Sequence, residues 1–236
     1  MNRRRLLPVL VAAVLLAVVV VAVALLGPPS GPVESEYGYS VTLATNATLS
    51  NVTLYLPYPA SADGGDAPFD AAFEGRAETV SVPGGWQVEP VETEHGRMLR
   101  VTATEIPTRR RSDGHRYETH TLSASVPAGH DIDTVEPIGS EPLLRPAEGF
   151  EAVPCPNQGG VPTRSTCHVF ESRLYARYDA PANADVDVFV TSGGYEDLGG
   201  SRGRWYSERV ITRLEGPRDG WVEVSGDLQA GAGSGP

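Results

Sequence analysis

The chain has 236 residues, with 30 Asp plus Glu against 19 Lys plus Arg, two Cys, 26 Gly and 20 Pro, and 40% of its residues are apolar. That apolar content is too high for a disordered tail and two Cys are too few for a disulfide mini-protein. A net charge of −11 argues against a nucleic-acid partner.

The chain begins with Arg3, Arg4 and Arg5, followed by an apolar run over residues 6–26 that only Pro8 interrupts. At about 1.5 Å rise per residue, a helix over this run spans a hydrocarbon layer of about 30 Å. Pro8 falls in its first turn, where a missing N–H costs little. The basic flank predicts a cytoplasmic N-terminus (residues 1–5), a transmembrane signal anchor (6–26) and an extracellular remainder, so the chain reads as a single-pass protein of the cell membrane. The competing reading is a signal peptide cut near Ala22-Val23-Ala24, which would release a secreted protein. The run continues into Leu25 and Leu26, longer than the usual secretory core of about 7–15 residues, and this favours the uncleaved anchor. Arg3-Arg4 followed by Arg5, Leu6 and Leu7 also loosely matches a twin-arginine export signal. Residues 27–36 are rich in Gly and Pro and read as a stalk.

Every one of the 19 basic residues is Arg, and every acid lies beyond residue 33. An acid excess on one exported domain self-repels in dilute solution and is a device of proteins that work at high salt. A GC-rich genome is the alternative source of the Arg bias, although it gives no reason for the surplus carboxylates. The composition, and the stretch over residues 37–57, YGYSVTLATNATLSNVTLYLP, resemble uncharacterised membrane-anchored exported proteins of halophilic archaea. The resemblance covers the anchor and the first strands. It implies location and solvent, and no activity.

From residue 37 onward the dominant signal is period-two alternation, which predicts an all-β domain over 37–228 and a flexible tail over 229–236. Tyr37, Tyr39, Val41 and Leu43 share one face, and Val52, Leu54 and Leu56 alternate until Pro57, read as the end of that strand. Further strands are expected over 78–82, 86–91, 97–106, 117–126, 167–178, 185–190, 205–214 and 221–228, with a turn at Pro83-Gly84-Gly85. Inward faces are assigned to Phe170, Leu174 and Tyr178, to Val186, Val188 and Val190, to Val210 and Leu214, and to Val222, Val224 and Leu228. About ten strands predict an antiparallel β-sandwich of two packed sheets, as one or two small sandwiches, and the Pro-rich stretch 136–162 reads as a lobe boundary or as an insertion on one domain, the single domain being favoured. Residues 69–74 alone hint at a helix, with Asp66 as its cap.

Cys155 and Cys167 read as a disulfide on an oxidising exterior, and closing a loop of that length contributes about 3 kcal/mol. A Cys167–His168 nucleophile pair is disfavoured, because strand neighbours point to opposite faces. Asn46-Ala47-Thr48 and Asn51-Val52-Thr53 fit the N-glycosylation sequon. Gly199-Gly200-Ser201-Arg202-Gly203 matches a hydrolase elbow in letters only, because residues 193–203 read as a loop leading into a strand. The five histidines show no zinc spacing and read as surface residues. Asp63, Asp66 and Asp70 are weak candidates for a hard-cation site, and Asn183, Asp185 and Asp187 read as a wet strand face. Arg109, Arg110 and Arg111 form a basic cluster suited to an acidic partner, an envelope glycan or neighbouring carboxylates. No cofactor is implied. The expected role is binding or structural at the cell envelope, set against an exported hydrolase or metal-dependent enzyme, or an accessory subunit showing an apolar patch near Trp205, Tyr206 or Trp221.

Overall fold

Alternating apolar and polar positions fold as strands here, and every strand pair is antiparallel. The computed structural model describes residues 34–61, 67–75, 79–108, 117–155, 165–198 and 203–233. In chain order the elements are β1 (Glu34–Thr45), β2 (Leu49–Ala60), α1 (Asp70–Gly75), β3 (Val80–Ser81), β4 (Trp86–Thr93), β5 (Gly96–Ile106) and β6 (Glu118–Pro127). Then follow β7 (Leu143–Arg145), β8 (Glu148–Val153), β9 (Thr166–Asp179), β10 (Asp185–Asp197), β11 (Gly203–Glu215) and β12 (Arg218–Gly233).

The strands form one 12-stranded sheet in the order β3-β6-β1-β10-β11-β12-β9-β2-β5-β4, with β7 on β2 and β8 on β9. This corrects the expectation of two separate sheets with about ten strands, because the β11–β12 ladder is continuous and joins the two halves. β1 and β2 are joined by residues 46–48 yet do not pair. The sheet curls so that their apolar faces meet: Tyr39 of β1 donates its hydroxyl to the Pro57 carbonyl of β2 at 2.8 Å, and the Tyr39 and Tyr58 rings sit edge to face at 5.6 Å. Near the two ends of the order, Trp86 of β4 and His120 of β6 approach within 6.2 Å. Right-handed strand twist accumulates in this sense across a wide sheet.

The enclosed core follows the expected parity. Val41, Leu43, Leu54, Leu56, Leu174, Val186, Val188, Val190, Val210 and Leu214 are fully buried or nearly so. The described residues from Glu34 onward cluster as one compact unit, and the Pro-rich stretch contributes β7 and β8 to it.

Several boundaries differ from expectation for physical reasons. Pro57 does not end β2, because pairing passes there from Met98 of β5 to β7, which holds Tyr58, Pro59 and Ala60. Gly193 and Gly194, read as loop, lie inside β10. They are there for close approach: a Cβ on Gly193 would overlap the Tyr206 carbonyl oxygen, and one on Gly194 would meet the Tyr206 ring at 2.6 Å. β12 runs to Gly233, past the expected tail boundary, paired with β11. The helix forms at Asp70–Gly75, buries Ala72 and Phe73, and closes its first turn by the Phe73 N–H to the Phe69 carbonyl at 3.0 Å. Among the described residues no helix is long and apolar enough to cross a membrane, and the expected anchor over 6–26 lies outside them.

Candidate functional site

The register of the sheet builds a row of large side chains on its outer face. Trp221 of β12 is opposite Tyr175 of β9, Tyr175 is opposite Tyr55 of β2, and Tyr55 is opposite Arg100 of β5. The Tyr55 and Tyr175 rings lie 5.4 Å apart and the Tyr175 and Trp221 rings 5.5 Å apart. Trp221 and Tyr55 are nearly parallel at 27°. His95, on the β4–β5 hairpin, meets Trp221 edge-on at 4.3 Å. Arg100 closes the row by pairing with Glu89 through Nε at 2.9 Å. Trp221 keeps 38% of its surface exposed. Tyr55, Tyr175 and Arg100 each stand between buried neighbours, so the strands that build the core also aim large side chains outward.

Beside the aromatic row the same strands carry uncharged polar groups. Thr53 is opposite Thr102, Thr102 is opposite Gln87, and Thr53 is opposite Arg177, whose guanidinium donates to Thr53 Oγ1 at 3.3 Å. Asn51, Thr53, Gln87, Thr102, Thr104 and Arg177 line a shallow hollow of about 330 Å³. Tyr175 donates to Asp219 at 2.7 Å, and that bond, ahead of partial burial, raises the pKa of the phenol. Rings flanked by hydroxyl, amide and guanidinium groups have the composition of a recognition surface.

The inner face carries a second polar assembly. Glu208 of β11 is completely buried, and the backbone N–H of Leu144 donates to its Oε2 at 2.7 Å. Desolvation pushes its pKa up to about 8, against smaller opposing effects from Leu144 and Arg145. The Tyr37 hydroxyl donates to Glu141 Oε2 at 2.5 Å, the Asp133 N–H donates to Glu141 Oε1 at 2.7 Å, and His130 Nε2 stands 3.2 Å from the Tyr37 hydroxyl. Tyr206 donates to the Pro142 carbonyl at 2.9 Å. Burial and Glu141 hold the Tyr37 phenol far above its ordinary pKa. These bonds fasten the segment that leads into β7 onto the sheet.

The residues singled out in the sequence fall in different places. Cys155 and Cys167 form a disulfide, with Cα atoms 5.2 Å apart. Asn46 is clamped to Asp185: its Nδ2 donates to Asp185 Oδ2 at 3.2 Å and its Oδ1 accepts the Asp185 N–H at 2.8 Å. Asn51 is exposed, has φ of 54°, and donates Nδ2 to Asp179 Oδ2 at 2.7 Å. Asp70 pairs with Arg97 and accepts the Tyr58 hydroxyl at 3.1 Å, so it serves the packing of α1. Asp63, Asp66, Arg109, Arg110 and Arg111 lie outside the described residues. Asp187 takes two bonds from Arg213, at 2.7 and 3.2 Å. Among the described residues no group of three or more His, Cys, Asp and Glu is placed to hold a metal ion. Of the three aromatics named for an apolar patch, Trp205 and Tyr206 are buried and Trp221 is exposed.

Sequence reading passed over Tyr55 and Tyr175, although both lie at solvent parity between buried neighbours. It also passed over Glu208, an acid at inward parity between Tyr206 and Val210. Comparison of the chain with family models, curated proteins and solved structures returns no match.

Proposed function

We propose that this chain is a single-pass, membrane-anchored surface protein of a high-salt organism, whose β domain binds a partner at the cell envelope, an envelope protein or a glycan. The observation that carries the reading is the row Tyr55, Tyr175 and Trp221, which stands on the outer face beside a hollow lined by hydroxyl, amide and guanidinium groups. Large amphipathic rings supply contact area at small entropic cost, and Tyr, Trp and Arg dominate binding hot spots. The arginine-flanked apolar run supports the anchor, and the acid excess without lysine supports the saline exterior.

The location is tested with an epitope tag after Pro236. Amine-directed labels are blind to the β domain, because it contains no lysine. The tag is expected to stain on unpermeabilised cells and to sediment with membranes. Staining that requires permeabilisation, or a tag found only in the medium, contradicts the anchored reading.

A further inference from the structure

The two sequons are chemically alike in sequence and differ sharply in structure. At Asn46 both ends of the side-chain amide are engaged by Asp185, and the Asn46 backbone N–H also bonds the Asp185 carbonyl at 3.2 Å. This side chain ties the β1–β2 connection to the start of β10, and it is partly buried. Attaching a sugar there means breaking that clamp.

Asn51 occupies the opposite situation. The β2–β9 register shifts between Ser50 and Thr53, so the strand bulges at this point. Asn51 takes a left-handed φ of 54°, which Asn tolerates better than most side chains. The bulge leaves it exposed within a strand whose neighbours Leu49 and Val52 are buried. Among the described residues its oxygen has no counterpart to the Asp185 clamp, and of its two amide hydrogens one serves the bond to Asp179. The other is available for substitution. Directly beside it opens the hollow of about 330 Å³, lined by Thr53, Gln87, Thr102, Thr104 and Arg177, whose hydroxyl, amide and guanidinium groups suit the hydroxyls of a saccharide.

We propose that Asn51, and not Asn46, carries an N-linked glycan whose first sugars rest in this hollow. The inference rests on the exported location argued above. The donor is a polyprenyl-phosphate-linked oligosaccharide used by a membrane transferase. A bond forms between Asn51 Nδ2 and the anomeric carbon, and the bond from that carbon to the phosphate oxygen breaks. The phosphate leaves with the electron pair, and the amide nitrogen gives up one proton. The remaining N–H still donates to Asp179 Oδ2 and orients the glycan. The aromatic row on the adjacent register is left open for the partner.

The test is fragmentation mass spectrometry on the full-length protein from its own cells, with the tag-staining assay run on the same cells. Sugar increments are expected on Asn51. They should disappear in Asn51→Gln and Thr53→Ala, persist in Thr53→Ser, and persist in Thr48→Ala, which disables the other sequon without touching the Asn46 clamp. Circular dichroism in high salt checks that each variant folds. Increments on Asn46, with Asn51 bare or occupied, overturn the inference. A bare Asn51 in a domain that stains from outside overturns it alone, and a bare Asn51 in a domain that does not stain overturns both the inference and the location.

Discussion

The backbone N–H of Leu144 donates to Glu208 Oε2 at 2.7 Å across 64 residues of sequence, while Glu208 Oε1 has no partner among the described residues. A fully buried carboxyl with one donor is stable only with its proton on. Its folded pKa of about 8 exceeds the ordinary 4.5, so the folded state holds a proton that the unfolded chain releases. Stability therefore falls as pH rises from about 4.5 to about 8 and levels above that, with a slope of up to about 1.4 kcal/mol per pH unit from this group. Glu208→Gln mimics the protonated acid. It should match the parent near pH 4.5 and exceed it near pH 8, as read from denaturant titrations in high salt. Equal stability of the two proteins at pH 8 contradicts the assignment.

Tyr37 and Glu141 form the second tie between the sheet and the segment leading into β7. Tyr37→Phe leaves one carboxylate oxygen of a buried acid without its donor and should cost about 1–3 kcal/mol. Asp133 N–H, which bonds the other oxygen of Glu141, should exchange faster in that variant. In a double-mutant cycle with Glu141→Gln the two substitutions should couple by more than about 0.5 kcal/mol. Additive effects would show that the two residues act separately.

Gly38 and Gly193 are direct partners in the β1–β10 ladder, yet they differ in what surrounds them. A Cβ on Gly38 meets nothing within 4 Å, whereas one on Gly193 overlaps a backbone oxygen that cannot rotate away. Gly38→Ala should be neutral or slightly stabilising, because it restricts the unfolded chain. Gly193→Ala should lower the melting temperature and cost about 1–3 kcal/mol. Similar melting temperatures for the two variants would contradict the close approach of β10 and β11 at Tyr206.

Much of this architecture is legible in the residues themselves. The inward parity of Tyr37, Tyr39, Val41 and Leu43, and that of Phe170, Leu174 and Tyr178, is local information and matches the burial seen. The Pro83-Gly84-Gly85 turn is equally local: Gly85 has φ of 86° and the Trp86 N–H bonds the Pro83 carbonyl at 3.2 Å. What was not legible depends on distant partners. Gly193 and Gly194 read as breakers because the Tyr206 backbone and ring that exclude a side chain lie on another strand. The attachment of the segment before β7 was hidden because its anchors, Tyr37, Tyr206 and Glu208, are supplied by the far end of the chain and by β1. The aromatic row is split over β2, β9 and β12, and its three rings become neighbours only through the register. The contrast between Asn46 and Asn51 also needed the fold, because Asp185 and Asp179 are remote in sequence.

Binding through the outer aromatic face is the centre of the account, and site-directed photo-cross-linking on intact cells tests it most directly. A photoreactive residue at Glu94, exposed on the β4–β5 hairpin next to His95, which meets Trp221, is compared with one at Thr121, exposed on β6. The account predicts a discrete adduct from Glu94 that weakens in the Trp221→Ala background, and none from Thr121. No adduct from Glu94, or equal adducts from both positions that ignore Trp221→Ala, would contradict it.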